Sequence, residues 1–398
     1  MLRGIKEAAR NPMSSSLTQS SRERIVIVGG GAAGLACAWR LAGAGLPVAL
    51  IDAGEPGEGA LRASGGMLAA GFECAVELQS DHPLAQAFVR FAGAAAELWP
   101  AWADRLQSES GRALGFERRG ALTPIFTAEE SERAAAAMEC ARELGVETRR
   151  WDGDAVAYAE PCLAATLGAL EIPHDGQGDN RALGIALVDA ARARGVEMFR
   201  GRTVTGLERA GGRVSAVTLD RGDPIGAGAV IFAAGAATIP GVDAGLSMEP
   251  VKGQMIAFAA ARPLAPSRIV RGFSIYLAAK PGVRLVAGAT SEPGCADEDT
   301  DDAAIERLTE AARAAIPGLA AVPVADRWAG VRPRAADSMP IVGEIEPGVF
   351  IVGGGYRNGV LLAPAMAEAL AAKLGEGEDW PSAAAFGPDR ESLGGAGR

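Results

Sequence analysis

With 398 residues, of which 48% are hydrophobic and 22% charged, the chain suits one large or two intimate domains around an ample core. A formal net charge of −10 offers no basic stripe to offset phosphate repulsion, which argues against a nucleic-acid partner. Five scattered cysteines without a C-x-x-C pair, and no cluster with metal-ligand spacing, point to buried thiols and no metal site.

Residues 1–22 are polar and serine-rich, lack the apolar core of a secretory signal, and are expected to form a disordered leader. No apolar run reaches the roughly 18 residues of a membrane span, so stable membrane insertion is not expected. Ile25-Val26-Ile27-Val28 then reads as a buried strand running into Gly29-Gly30-Gly31-Ala32-Ala33-Gly34. A helical pattern covers 35–44, and a second apolar run, Val48-Ala49-Leu50-Ile51, ends on Asp52. Strand, G-x-G-x-x-G turn, helix, strand and acid in this order form the dinucleotide-binding βαβ unit. Gly29 permits the tight turn, Gly31 lets the backbone approach a pyrophosphate, and Gly34 lets helix and strand pack closely. The helix N-terminus turns unpaired N–H groups toward the phosphates, and Asp52 stands where a ribose hydroxyl needs an acceptor.

The stretch to Gly71 contains Arg62-Ala63-Ser64-Gly65-Gly66-Met67, whose small residues suit close backbone approach to an extended cofactor. Helices are predicted at 83–107 and 128–144, with a strand at 121–126 between them. A helix at 179–194, capped by Asp179 or Asn180, leads to strands at 197–200, 203–208 and 214–219, and a buried strand at 229–235 follows. Strands at 253–259, 273–278 and 284–288 precede a helix at 302–315. A strand at 349–352, a glycine triplet and a helix at 363–374 with Pro364 in its first turn close the pattern. The Gly- and Ser-rich residues after Trp380 are expected to be loose. The succession predicts an α/β (α+β) fold, a Rossmann-like domain interleaved with an antiparallel-sheet substrate domain.

Three later segments carry candidate chemistry. Tyr276 lies on a strand pattern in a chain with three tyrosines. Arg332 sits in Trp328-Ala329-Gly330-Val331-Arg332-Pro333, and Arg357 follows the glycine triplet in Tyr356-Arg357-Asn358-Gly359. Both arginines are planar, permanently charged forks suited to two-point binding of a carboxylate. His82 and His174 have neither partner nor spacing for catalysis, and no G-x-S-x-G elbow suggests a hydrolase.

From Arg24 to about Trp380 the chain resembles the D-amino-acid oxidase-like FAD oxidoreductases, and within them the glycine oxidases of thiazole (thiamine) biosynthesis. The resemblance rests on the glycine fingerprint, Ala63-Ser64-Gly65-Gly66-Met67-Leu68, Val251-Lys252-Gly253-Gln254, Val286-Ala287-Gly288-Ala289-Thr290, the Trp328-to-Pro333 run and Arg357-Asn358-Gly359 through Pro364. It implies non-covalent FAD bound by Gly29, Gly31, Ala32, Ala33 and Gly34, by Asp52 and Ala53, by Ala60, Leu61, Gly65, Gly66 and Met67, and by backbone at Val204. Gly355, Tyr356, Arg357, Asn358, Gly359, Val360 and Leu361 would cradle the flavin's pyrimidine side. Arg332 would bind the substrate carboxylate, Tyr276 would add a hydrogen bond, and Arg357 would act at the pocket edge, with no general base assigned. The FAD-binding domain would comprise 23–78, 163–238 and 327–380, the substrate domain 79–162 and 239–326, and a flexible tail 381–398.

The implied reaction is hydride transfer from glycine or a related small amine to flavin N5, with dioxygen reduced to hydrogen peroxide, in the cytoplasm. The alternative is a D-amino-acid or D-hydroxyproline dehydrogenase that passes electrons to a quinone. The oxidoreductase half of a tRNA-modifying enzyme and a non-catalytic FAD protein are weaker readings. The chain departs from the glycine-oxidase pattern at Ala60-Leu61-Arg62, Ser274 and Gly355, which loosens the claim on glycine itself. Oligomeric state stays open.

Overall fold

Four buried β-branched residues, Ile25–Val28, form the strand on which the fold is hung. In the computed structural model, which describes residues 24–238, 240–241, 246–376 and 380–393, this strand pairs in parallel with Val48–Asp52 on one side and Ala229–Phe232 on the other. The expected leader at 1–22 lies outside the described residues. Glu197–Arg200 and Val349–Gly353 extend the sheet in parallel, and Ile341–Glu346 closes one edge antiparallel, giving six strands. Burial on both faces accounts for runs that are continuously apolar rather than alternating.

Helix Ala32–Ala42 follows the first strand directly. A methyl group on Gly34 would lie 1.9 Å from the Gly29 carbonyl oxygen, and Gly29 itself has φ +108°, so both positions require glycine. Helices Ala85–Ser110, Asn180–Ala193 and Gly359–Glu376 join Ala32–Ala42 in one core, where Trp39 meets Trp102 edge-on at 4.8 Å.

A second, mainly antiparallel sheet of nine strands stands beside the first. Its centre is Glu249–Ala259, paired with Arg284–Gly288 on one side and along its length with Val324–Arg334 on the other. Tyr276–Lys280, Ile269–Arg271 and Ala121–Ile125 continue it, and helix Asp302–Ala315 covers one face over Ile256, Phe258 and Leu285.

Several expectations need correction. Gly168–Ile172 and Val324–Arg334 belong to the nine-stranded sheet, not with the parallel strands, and Ala85–Ser110 packs with the parallel-sheet helices. The division at 79, 163 and 327 therefore misses where the chain changes layer. Residues 273–275 are not strand; Gly272 N–H bonds to the Ile275 carbonyl at 2.9 Å, and the strand begins at Tyr276. Pro364 lies inside helix Gly359–Glu376 because burial of Leu361 and Leu362 starts the helix a turn earlier. Of the expected loose tail, residues 381–393 are packed: Phe386 is fully buried 5.3 Å from Phe91, and Arg390 pairs with Asp337 at 2.7 and 2.9 Å. The anchors are few in a Gly- and Ser-rich background, so composition hides them.

Candidate active site

A cavity of 780 Å³ runs from the carboxyl ends of the parallel strands to the face of the large sheet. At its first end, Gly29, Gly31, Ala32 and Ala33 present the turn and the start of helix Ala32–Ala42. No side chain caps that N-terminus, so its N–H groups remain for a ligand. A methyl on Gly31 would meet nothing within 4 Å; the backbone there faces open space. Uncapped N–H groups facing open space have the geometry that suits a diphosphate. Asp52 lines the same end, with its carboxylate accepting from Gly30 N–H at 2.5 Å and Gly54 N–H at 2.7 Å. The acid thus also ties the two glycine turns together.

Ala53, Ala60, Leu61, Gly65, Met67 and Val204 continue the wall. Gly66 does not: it has φ +63° and backs onto the Gly178 carbonyl and Lys280. Gly34 likewise acts in helix–strand packing rather than on the cavity. At the second end the lining comes from Gly355, Tyr356, Arg357, Gly359 and Val360. Asn358 and Leu361 stand behind it, Asn358 donating to Glu73 at 3.2 Å and the Leu361 carbonyl accepting from the Trp99 indole at 2.9 Å.

Tyr276 and Arg332 come together here. The Tyr276 ring is wedged between two glycines; a methyl on Gly65 would fall 2.6 Å from its hydroxyl, and one on Gly288 3.0 Å away. The hydroxyl donates to the Met255 sulfur at 3.1 Å, a weak acceptor that a better one can replace. Burial pushes its pKa up to about 12, so it remains a proton donor. Arg332 projects from Val324–Arg334, opposite Val251 in the paired strand, and lies over Gly253. Its Nη1 donates to the Thr290 carbonyl at 3.2 Å, and among the described residues no carboxylate pairs with it. Burial lowers its pKa, opposed by Tyr276 and Tyr356, yet a guanidinium stays charged.

Arg357 differs. It pairs with Glu77 at 2.5 Å, and Glu77 and Glu73 outweigh burial and hold it charged. A third guanidinium, Arg271, lines the cavity beside Tyr276, paired with Glu73 at 2.8 Å and with Glu77 at 3.7 Å. Burial raises the Glu73 pKa against the pull of Arg271. Arg271, Glu73 and Glu77 were not anticipated. A charged residue ending the apolar run Ile269-Val270-Arg271 is the one signal that pointed to a buried, paired cation.

A glycine turn at an uncapped helix, a long cavity and a buried guanidinium at its far end define a flavin-dependent oxidoreductase site. The chain belongs to the FAD dependent oxidoreductase (DAO) family, whose model matches residues 24–373. It is 33% identical over 353 residues to the glycine oxidase of Geobacillus kaustophilus (strain HTA426), covering 86% of this chain and 90% of that one. It is 30% identical over 371 residues to the hydrogen cyanide synthase subunit HcnC of Pseudomonas aeruginosa, covering 85% and 88%. With the bifunctional protein ThiO/ThiG of Trichormus variabilis it is 31% identical over 356 residues, 87% of this chain but 52% of that protein. The structure superposes on the crystal structure of the Geobacillus enzyme with a TM-score of 0.83 at 31% identity, covering 92% of this chain and 99% of that one. The expected family, mixed α/β fold and FAD cofactor are thereby borne out. No helix among the described residues is long and apolar enough to cross a membrane.

Proposed function

We propose that the protein oxidises glycine or a related small amino acid or secondary amine, with release of hydrogen peroxide, and that it serves thiamine biosynthesis. The observation that carries the substrate class is Arg332, a mostly buried guanidinium on the cavity wall without a carboxylate partner among the described residues. A buried unpaired charge is costly, and a substrate carboxylate is the counter-charge that fits. Similarity to glycine oxidase and to ThiO/ThiG supports the small-amine reading.

In this reading Gly29, Gly31, Ala32, Ala33, Asp52, Ala53, Ala60, Leu61, Gly65, Met67 and Val204 hold FAD, and Gly355, Tyr356, Arg357, Gly359 and Val360 line its ring end. Bound FAD supplies the two-electron acceptor. None of the five cysteines lines the cavity, which supports a non-covalent cofactor. Arg332 takes the carboxylate, the Tyr276 hydroxyl adds a hydrogen bond by leaving Met255, and the Cα–H is thereby oriented. Glu77, the carboxylate at this end of the cavity among the described residues, is engaged by Arg357 and Arg271, which favours a substrate that reacts as its neutral amine. The rate should rise with pH through the substrate's ammonium pKa; a flat profile across that range would count against the scheme.

The test is anaerobic addition of glycine, sarcosine, D-proline and D-alanine while flavin absorbance near ~450 nm is followed. Bleaching by glycine or sarcosine, reversed by air with stoichiometric peroxide, is the expected result. Bleaching by D-proline alone, with slow recovery in air, would instead indicate a dehydrogenase using another acceptor.

A further inference from the structure

Arg332 is held by the Thr290 carbonyl at the cavity wall, and Thr290 is held in turn by Gln254 and Glu292, which do not line the cavity. Its Nη1 donates to the Thr290 carbonyl at 3.2 Å. Thr290 is fixed in turn to the central strand by two reciprocal bonds: its N–H donates to the Gln254 carbonyl at 3.2 Å, and its Oγ1 accepts from Gln254 N–H at 2.9 Å. The same hydroxyl donates to Glu292 Oε1 at 2.5 Å, which also accepts from Gln254 Nε2 at 2.8 Å. The other end of the Gln254 amide accepts from Asp301 N–H at 2.6 Å, and Asp301 caps helix Asp302–Ala315. Gln254 is almost fully buried, with both ends of its amide engaged.

We propose that Gln254, Thr290 and Glu292 are positioning residues that set the direction of the Arg332 guanidinium and so fix the substrate carboxylate. The proposal rests on the reading of Arg332 as the carboxylate site. Each bond leaves its donor or acceptor one mutually compatible place. Gln254 fixes Thr290, Glu292 fixes its hydroxyl rotor, and the Thr290 carbonyl is left pointing at Arg332. From the other side Gly253 leaves room for the guanidinium, since a methyl there would stand 2.1 Å from Nη2. A partly buried polar network centred on the buried Gln254, whose amide is engaged at both ends, is suited to hold one geometry. It also gives a role to Gly253 and Gln254 and to Thr290, each in a segment singled out in the sequence.

The experiment uses the FAD-loaded enzyme and acetate, which has the carboxylate but no oxidisable amine. Acetate binding is read from the flavin spectrum, and KM and kcat are measured with glycine or whichever amine bleaches the flavin. Thr290→Val should weaken acetate about tenfold or more and raise KM similarly with a smaller change in kcat, as displacement of a binding group predicts. Thr290→Ser, which keeps the hydroxyl, should stay within about twofold of the parent, and Glu292→Gln should fall between. Should Thr290→Val fail to retain flavin, the Glu292→Gln and Thr290→Ser pair carries the same comparison. Arg332→Met is the reference. Acetate binding unchanged in Arg332→Met would overturn the carboxylate reading itself. Binding lost in Arg332→Met but equal in Thr290→Val, Glu292→Gln and the parent would overturn the positioning role alone.

Discussion

Arg332 and Gly253 face each other across paired strands so closely that a methyl on Gly253 would stand 2.1 Å from a guanidinium nitrogen. The atom that must give way is the end of a flexible side chain, not backbone. Gly253→Ala should therefore fold and retain flavin while moving Arg332 off its position. We expect a substrate KM raised on the order of tenfold, with melting temperature little changed, in a steady-state and thermal-shift comparison. An unchanged KM would mean that Arg332 can bind from more than one pose.

The glycines of the first turn separate fold from cofactor binding. At Gly34 an added methyl meets backbone at 1.9 Å, whereas at Gly31 it meets open cavity. Gly31→Val should fold normally yet lose about ten- to hundredfold in FAD affinity, the usual range for inserted bulk. Gly34→Val should lose both stability and flavin. Flavin-to-protein absorbance ratio and melting temperature, measured together, check the contrast.

Lys280 is buried under the Gly66 turn, with its ammonium nitrogen donating to Gln177 Oε1 at 3.1 Å and the Gly178 carbonyl at 2.9 Å. Burial pulls its pKa down to about 7 from 10.5, against Asp179 and Glu117 and with Arg284. In the window between these values the unfolded chain binds more protons than the folded one, so this lysine makes stability rise with pH and fall again as pH drops toward 7. Lys280→Met should flatten that slope in chemical denaturation between pH 7 and 10. A slope identical to the parent's would show that the amine is charged in place.

Phe386 is fully buried against Phe91 at 5.3 Å. Phe386→Ala should cost about 3–5 kcal/mol, as for other fully buried aromatic truncations. The measurement is denaturant midpoint, and a loss under about 1 kcal/mol would show that the site collapses freely.

Much of the fold was legible because local rules agree with one another there. Ile25-Val26-Ile27-Val28 feeding Gly29 has one comfortable reading, and helices Ala128–Leu144 and Asp302–Ala315 end where their patterns end. Arg332 and Tyr276 were legible as chemistry, but only the family resemblance set them at one substrate, since their proximity depends on the pairing of distant strands. Arg271 and Glu73 pair across 198 positions, and Glu73–Glu77 forms a π-helical turn with no motif to announce it. Layer boundaries escaped for a related reason. An apolar strand such as Gly168–Ile172 carries no mark of which sheet receives it.

The lone charge of Arg332 has a consequence for how the enzyme meets its medium. With Arg271 and Arg357 paired to Glu73 and Glu77, Arg332 is, among the described residues at this end of the cavity, the guanidinium left without a carboxylate. Under the proposed role of Arg332, a counter-ion would occupy the site when substrate is away, and turnover would exchange one anion for another. Salt then acts as a rival ligand as well as a screen. Formate and chloride, small enough to share the cleft, should each raise the apparent KM linearly with their concentration, and a cation changed at constant anion should do nothing.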